Sequence, residues 1–517
     1  MATLSIEARQ SKPRTFARTV AKNSAANVIR LAATSLVSIL LPAYLTHRLP
    51  VKTYAAWVLI LQLSAYVGYL DFGVQTAVSK YIAEYEAKQD PAGCNRCASV
   101  GCVIMLIACG LGILLTLILA WRVPSIFRTM PHALYPDVRF SVVFVGVSLS
   151  VSLASSVFVA IFVGLQRYQV PMVITIVSRL LSGAAICVAV AFHSSLAVMG
   201  MAAGCMNILT ALLQFMAWRK MAYHIRIQAH LIDVAMLQKM FKYCAVLSVW
   251  SVCMLLVSGL DITIVGHYSF SETAYYSIAT SPTTFVLAVT SALMGPLLPA
   301  ASALSVQRSS TQMGSILLRS TRYATLSMLL TSLPLVVAGP LILRAWVGPV
   351  YATRSIQLLR ILVVANIIRN LCAPYATMVV AMSKQRLATA SAVTEGTVNL
   401  VSSIWLAQHI GALGVALGTL VGAAAGVAMH FGVSMRYTQA NLALPRMELF
   451  VRGVMRPAVI AIPSALLFRR WCQPGVPSID VQLYAGWAVS TLLLAWFIGL
   501  NKEDRALLSH LVNGGRK

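Results

Sequence analysis

"TYAAWVLILQLSAYVGYLDFG", residues 53–73, decides how this chain is read. From Thr53 to Leu70 there is no charge, and the run then closes on Asp71, Phe72 and Gly73. A helix over those uncharged residues is about 27 Å long at 1.5 Å per residue, close to the hydrocarbon thickness of a bilayer. The run is therefore a membrane span, and Asp71 falls at its boundary.

The pattern repeats outward from this stretch. The 517 residues are 59% hydrophobic and only 10% charged, with a mean hydropathy of +0.79. Soluble domains carry about a quarter charged residues, so the composition is that of an all-α integral membrane protein. The net charge of +26 does not point to nucleic acid. Beyond the N-terminal segment the Lys and Arg residues sit in short loops between apolar runs, with no basic patch interleaved with aromatics. Apolar runs of about 20 residues recur about fourteen times along the chain. Among them are span two at 53–75, span seven at 243–265, span ten at 356–382, span eleven at 388–408 and span twelve at 411–432.

Lys and Arg occupy one set of alternate loops about three times as often as the other, which places both termini in the cytoplasm. Residues 1–23 form a basic cytoplasmic N-terminus with Arg9, Lys12, Arg14, Arg18 and Lys22. The first apolar run lacks a small-residue cleavage site and is an uncleaved span. Residues 24–217 hold six spans, the N-lobe. Residues 243–432 hold six more, the C-lobe. The basic segment 218–242 between them, "WRKMAYHIRIQAHLIDVAMLQKMFK", is expected to lie on the inner surface as an amphipathic helix. A final pair of spans occupies 433–500, and 501–517 is a cytoplasmic tail.

The lobes share a weak internal repeat. "VKTYAAWVLI" (51–60) and "SETAYYSIAT" (271–280) each place a short polar turn and aromatics at the start of an even-numbered span. Repeated halves are a common transporter feature. Gly414, Gly418, Gly422 and Gly426 form a four-residue ladder in span twelve that lets another helix approach closely. Pro282, Pro296 and Pro299 interrupt span eight. Among the ten cysteines, Cys94 and Cys97 form a CxxC with Cys102 after it, but no second pair completes a zinc site.

Seven ionisable side chains stand inside the spans: Arg30, Asp71, Arg179, Asp261, Arg360, Arg369 and Glu395. Each needs a partner or a wet cavity. Arg369 is about 18 Å from either end of its span, too deep to reach water by snorkelling. Arg30, Arg179 and Glu395 lie about 9–12 Å from the cytoplasmic ends of their helices, and Arg360 is interfacial. Asp71 falls near the inner face and Asp261 near the outer one, where pairing with an arginine is the default. Three arginines against one Glu and one boundary Asp, counted toward the centre and cytoplasmic side, suit an anionic ligand. The guanidinium fork grips phosphate oxygens bidentately.

Four stretches carry a family resemblance. "LPVKTYAAWVLILQLSAYVGYLDFGVQTAVSKYIAEY" (49–85) resembles the span-two signature of bacterial polysaccharide (O-antigen, Wzx-type) flippases of the MOP exporter superfamily. "VGLQRYQVPMVITIVSRLL" (163–181) resembles the family's segment between spans four and five. "GLDITIVGHYSFSETAYYSIA" (259–279) resembles the junction of spans seven and eight. "TEGTVNLVSSIWLAQHIGALGVALGTL" (394–420) resembles the corner of spans eleven and twelve. One departure is Ala55 after Tyr54, where relatives often carry Gly.

The resemblance implies a MATE-like fold of two six-helix lobes plus a C-terminal pair in the bacterial inner membrane. It implies a non-enzymatic flippase that carries undecaprenyl-pyrophosphate-linked oligosaccharide from the inner to the outer leaflet by alternating access. The pathway would be synthesis of O-antigen, capsule or exopolysaccharide. Partners would be the lipid-linked oligosaccharide, membrane lipids, and the polysaccharide polymerase and chain-length machinery.

In the better-understood peptidoglycan-lipid flippases of the superfamily, arginines in a central cavity contact the pyrophosphate. Arg30 is the positional match, and Arg179 and Arg369 join it on physical grounds. Asp71, Asp261 and Glu395 are assigned to gating or ion coupling. No cofactor is implied, and coupling to H+ or Na+ through Glu395 or Asp261 is compatible with the sequence but not required. No Walker motif is present. The competing readings are a cation-coupled multidrug exporter of the same superfamily and, further off, a membrane glycan polymerase or ligase. Those enzymes need acidic or His residues on sizeable outer loops, and the first outer loop, "HRLPVK" (47–52), has no acid.

Overall fold

The computed structural model describes residues 37–295, 297–307, 309–471, 486–487 and 490. Every regular element among them is helical, as a bilayer demands of a chain that must pair its own backbone groups. Among the described residues, eight helical runs are long and apolar enough to cross a membrane, nine if one pair bent by 73° counts as a span. The chain divides into two compact units, Met1–Ser251 and Val252–Lys517.

The first unit begins with helical residues 37–48 (α1). It continues through α2 (Val51–Ala65), α3 (Val74–Ala87), α4 (Pro91–Ile126), α5 (Tyr135–Gly164), α6 (Gln169–Ala191) and α7 (Leu196–Met221). Helix α5 is the centre of this unit, packing against α2, α3, α4 and α7. Lipid offers no hydrophobic gradient between helices, so small and hydroxylated side chains make the contacts. Ser141 of α5 donates to the Leu196 carbonyl, Ser152 to that of Asn207, and Ser155 to Gln214 Oε1 at 2.7 Å. Ala77, Val78, Tyr81 and Ile82 line one face of α3 and pack on Cys94, Cys97 and Val157. The CxxC thiols are thus buried apolar fillers whose Sγ atoms face the carbonyls of Ile82 and Val78.

The span-two run does break at its charged end. After α2 the chain tightens into a 3-10 turn, Tyr66–Asp71. Phe72 (φ 47°) and Gly73 (φ 75°) then both take left-handed conformations before α3 begins. Segment 222–233, expected as a surface helix, is mostly irregular, with one short 3-10 turn at Ala229–Leu231. Helix α8 (Val234–Met254) starts only after it. Asn95 and Ser99 of α4 take up two of the loop's amides, those of Arg226 and Gln228.

The second unit holds α9 (Asp261–Tyr268), α10 (Glu272–Met294), α11 (Leu297–Val306), α12 (Ser310–Val337), α13 (Gly339–Val347), α14 (Pro349–Asn370) and α15 (Ala373–Ala381). There follow α16 (Gln385–Met429), α17 (Met435–Leu442), α18 (Arg446–Glu448) and α19 (Arg456–Trp471). Pro282 lies inside α10; Pro296 falls outside the described residues, next to the break between α10 and α11.

Helix α16 is a hairpin, not a rod. Ile410 and Gly411 leave helical geometry, Gly411 at φ 59°, ψ −134°, a region open essentially to glycine alone. The returning arm lays the glycine ladder on the outgoing one. Gly414 abuts Leu406, Gly418 abuts Ser403, Gly422 abuts Asn399 and Gly426 abuts Glu395. The expected packing role of the ladder is therefore what the structure shows. The corner is held by Glu272, whose Oε2 accepts from the Ala412 amide at 2.8 Å.

Candidate functional site

Three broken helices of the second unit converge on one buried polar cluster. A π-helical stretch, Leu255–Gly259, separates α8 from α9 and leaves carbonyls of Leu256 and Val257 outside the regular ladder. Helix α14 ends at Asn370 and gives way to α15 after a two-residue break. The third is the α16 hairpin. Non-helical backbone at this depth is tolerated where polar side chains satisfy it, and these breaks are so used.

Asp261 begins α9 and is only 6% exposed. Its Oδ2 accepts from Tyr276 Oη at 3.2 Å and from Thr419 Oγ1 at 3.3 Å; its Oδ1 accepts from Asn399 Nδ2 at 3.4 Å. Asn399 Nδ2 also donates to the Val257 carbonyl at 2.8 Å. Asn399 Oδ1 accepts from Ser403 Oγ at 3.0 Å. All four partner side chains, Tyr276, Asn399, Ser403 and Thr419, are buried. The glycine ladder explains how. Only with Gly418 and Gly422 facing them can Ser403 and Asn399 lie flush against the returning arm.

Beside this carboxylate lies a second. Glu395 forms an ion pair with Arg369, Oε1 to Nε, the two side chains being 13% and 17% exposed. Arg369 reaches the Val257 carbonyl through Nη2 and Asn366 Oδ1 through Nη1, both at 3.5 Å. Val257 thus links the Arg369–Glu395 pair to the Asp261 set through one carbonyl. One guanidinium stands among two carboxylates, so the cluster is anionic when both are ionised. Such a set can hold a cation or a proton, or release Arg369 when Glu395 is neutralised.

The structure thus brings together Asp261, Arg369 and Glu395. Arg179 is exposed on α6 between the exposed Val177, Leu180 and Leu181, and Arg30 lies outside the described residues. Arg360 donates from Nε to the Val336 carbonyl at 3.2 Å. Asp71 accepts through Oδ1 from the Gln75 amide at 3.3 Å, capping the start of α3. Among the described residues it makes no ion pair.

Sequence reasoning takes Asp261 to lie near the outer face; in the structure α9 continues from it to Tyr268, about 10 Å of helix. It missed Tyr276, Asn399, Ser403 and Thr419. The four-residue spacing of Asn399 and Ser403 puts both on one helical face, and that spacing was the available signal.

No family model and no curated protein matches the chain. Solved structures do, and they share one class: the fold is that of the MOP superfamily transporters. The lipid II flippase MurJ, in an inward closed conformation, aligns with a TM-score of 0.68 at 12% identity, over 92% of this chain and 98% of that one. A multidrug resistance MATE family transporter in its inward-facing conformation gives 0.66 at 13% identity, over 80% and 98%. A MOP superfamily transporter from Pyrococcus furiosus, described as having a binding pocket of reverse polarity, gives 0.57 at 14%, over 81% and 96%.

Proposed function

We propose that the protein is a flippase for undecaprenyl-pyrophosphate-linked oligosaccharide. It would move its substrate from the inner to the outer leaflet of the bacterial inner membrane, for synthesis of a surface polysaccharide. The observation that carries the reading is the extent of the likeness to the lipid II flippase. It takes in 92% of the chain, against 80% for the MATE transporter, and so reaches beyond two six-helix lobes. The four flippase-like sequence stretches lie in the same chain order. Both termini are cytoplasmic in this reading, and the polysaccharide polymerase and chain-length machinery act downstream.

The two lobes alternate access to a central path while the lipid tail stays in the bilayer. The pyrophosphate is gripped by arginine, with Arg30 and Arg179 offered to it. Arg369 joins them only when Glu395 takes up a proton and lets it go. Asp261, with Tyr276, Asn399 and Thr419, holds the coupling H+ or Na+. Asp71 serves the gate by capping the start of α3. Moving two negative charges outward gains about 4–5 kcal/mol at 100 mV, so no ATP is needed.

One observation favours a second reading. Two carboxylates against one arginine in the buried cluster is the balance of a cation-coupled drug exporter. A deletion strain separates the two. Loss of surface polysaccharide, restored by the wild-type gene and not by an Arg369→Ala variant that reaches the membrane, supports the flippase. Intact polysaccharide with new sensitivity to cationic drugs selects the exporter.

A further inference from the structure

One end of the first unit carries a basic groove that the transport reading does not use. Helix α7 ends at Met221 in Arg219 and Lys220. The chain then turns through 222–228, and the turn is fixed from outside itself. Asn95 Oδ1 of α4 accepts from the Arg226 amide at 2.8 Å, and Ser99 Oγ accepts from the Gln228 amide at 3.0 Å. Trp218 Nε1 donates to the Ile225 carbonyl at 3.1 Å, and Arg167 Nη1 donates to that of Met221 at 2.9 Å. Three anchors from α4 and α7 hold the seven residues, and a fourth from the α5–α6 corner holds Met221 just before them; an unanchored loop would leave them free.

The groove they shape has a volume of about 350 Å³ and is lined by Trp218, Arg219, Tyr223, Arg226, Ile227 and Gln228. No carboxylate lines it. Among the described residues neither Arg219 nor Arg226 has an ion-pair partner, though acids at the same end, Glu84 and Asp90, are engaged by Lys88, Lys239 and Arg96. Two guanidinium groups without acids, on a backbone held rigid, form a ready phosphate clamp. Apolar surface adjoins it: Met221 is 45% and Tyr223 73% exposed, and α8 presents Val234 and Phe241 at 65% and 70%. Charge beside exposed apolar and aromatic side chains at a helix end suits the headgroup level of a leaflet.

We infer that this groove binds an anionic phospholipid of the inner leaflet. Arg219 and Arg226 hold its phosphate, and Tyr223 and Met221 rest on its glycerol and upper acyl chains. Basic pockets on the cytoplasmic side of membrane proteins recognise headgroups in this way.

The test uses the full-length protein in detergent, with native mass spectrometry to count retained lipids from an equal mixture of phosphatidylglycerol and phosphatidylcholine. Wild type should enrich phosphatidylglycerol, and the Arg219→Gln/Arg226→Gln double variant should lose that enrichment about tenfold. Arg128→Gln, at the other end of α4, should keep it. An unchanged melting profile, or recovery by Arg219→Lys/Arg226→Lys, shows that the loop still folds. Equal enrichment by wild type and double variant overturns the site. Displacement by soluble glycerol phosphate at the lipid's own concentration overturns the lipid reading, because the acyl chains would then contribute nothing.

Discussion

Asp71 and Asp261 are both span-end aspartates in sequence, and the structure gives them different work. Asp71 satisfies the Gln75 amide beside two left-handed residues, a helix-end task any short acceptor could share. Asp261 accepts from three buried side chains, Tyr276, Asn399 and Thr419. Asp71→Asn should therefore lower melting temperature only slightly and leave transport intact in a complementation assay. Asp261→Asn, which keeps the shape and removes the charge, should abolish coupled transport while the protein still folds. Gly73 carries the sharper constraint. Its φ is +75° and an added Cβ would stand 2.6 Å from Leu247, so Gly73→Ala should cost about 2–3 kcal/mol, visible as a drop in thermal midpoint. Arg369→Ala leaves two carboxylates without their cation and should destabilise by about 3 kcal/mol. Arg369→Ala/Glu395→Ala should be less destabilised than the single variant; additive losses would show that the pair is not coupled.

The elements that build the site are the discontinuous ones. Val257 contributes a carbonyl because the π-helical stretch frees it, and Arg369 stands at the last turn of α14 because α14 ends there. The α16 hairpin matters most. Its ladder brings backbone against backbone, so Asn399 and Ser403 are sealed from lipid while keeping their hydrogen bonds. Gly418→Val should push the arms apart and expose both, lowering stability by about 3 kcal/mol or more. It should also make a cysteine placed at Asn399 react with a thiol reagent; continued protection would mean that the arms tolerate the bulk.

Across the whole molecule, the proposed flippase reading, with two carboxylates and one guanidinium in the buried cluster, predicts that transport depends on both membrane potential and a coupling ion. In vesicles of defined polarity, an inside-negative potential should speed outward movement of a lipid pyrophosphate, since two charges gain about 4–5 kcal/mol per 100 mV. Collapse of the potential with an ionophore should slow it. If the rate follows the pH or Na+ gradient alone, the anionic substrate does not supply the drive and the exporter reading gains.

Much of this was legible in sequence because it depends on local composition. Apolar length fixed that the chain spans a membrane and that it does so by helices, since a bilayer supplies no partner for an unpaired amide. Charge inside the spans picked out seven side chains, Asp261, Arg369 and Glu395 among them, because each is costly wherever the chain goes. The four-residue glycine spacing announced a close helix contact. What tertiary structure decided is which of these groups meet. Arg369 faces Glu395 across 26 residues of sequence, and Asp261 meets Asn399 and Thr419 across 138 and 158. No local pattern encodes such pairings; they follow from where three helices break and how the α16 hairpin closes. That is why Arg369, counted among arginines along the chain, stands in space beside two carboxylates, Glu395 and Asp261.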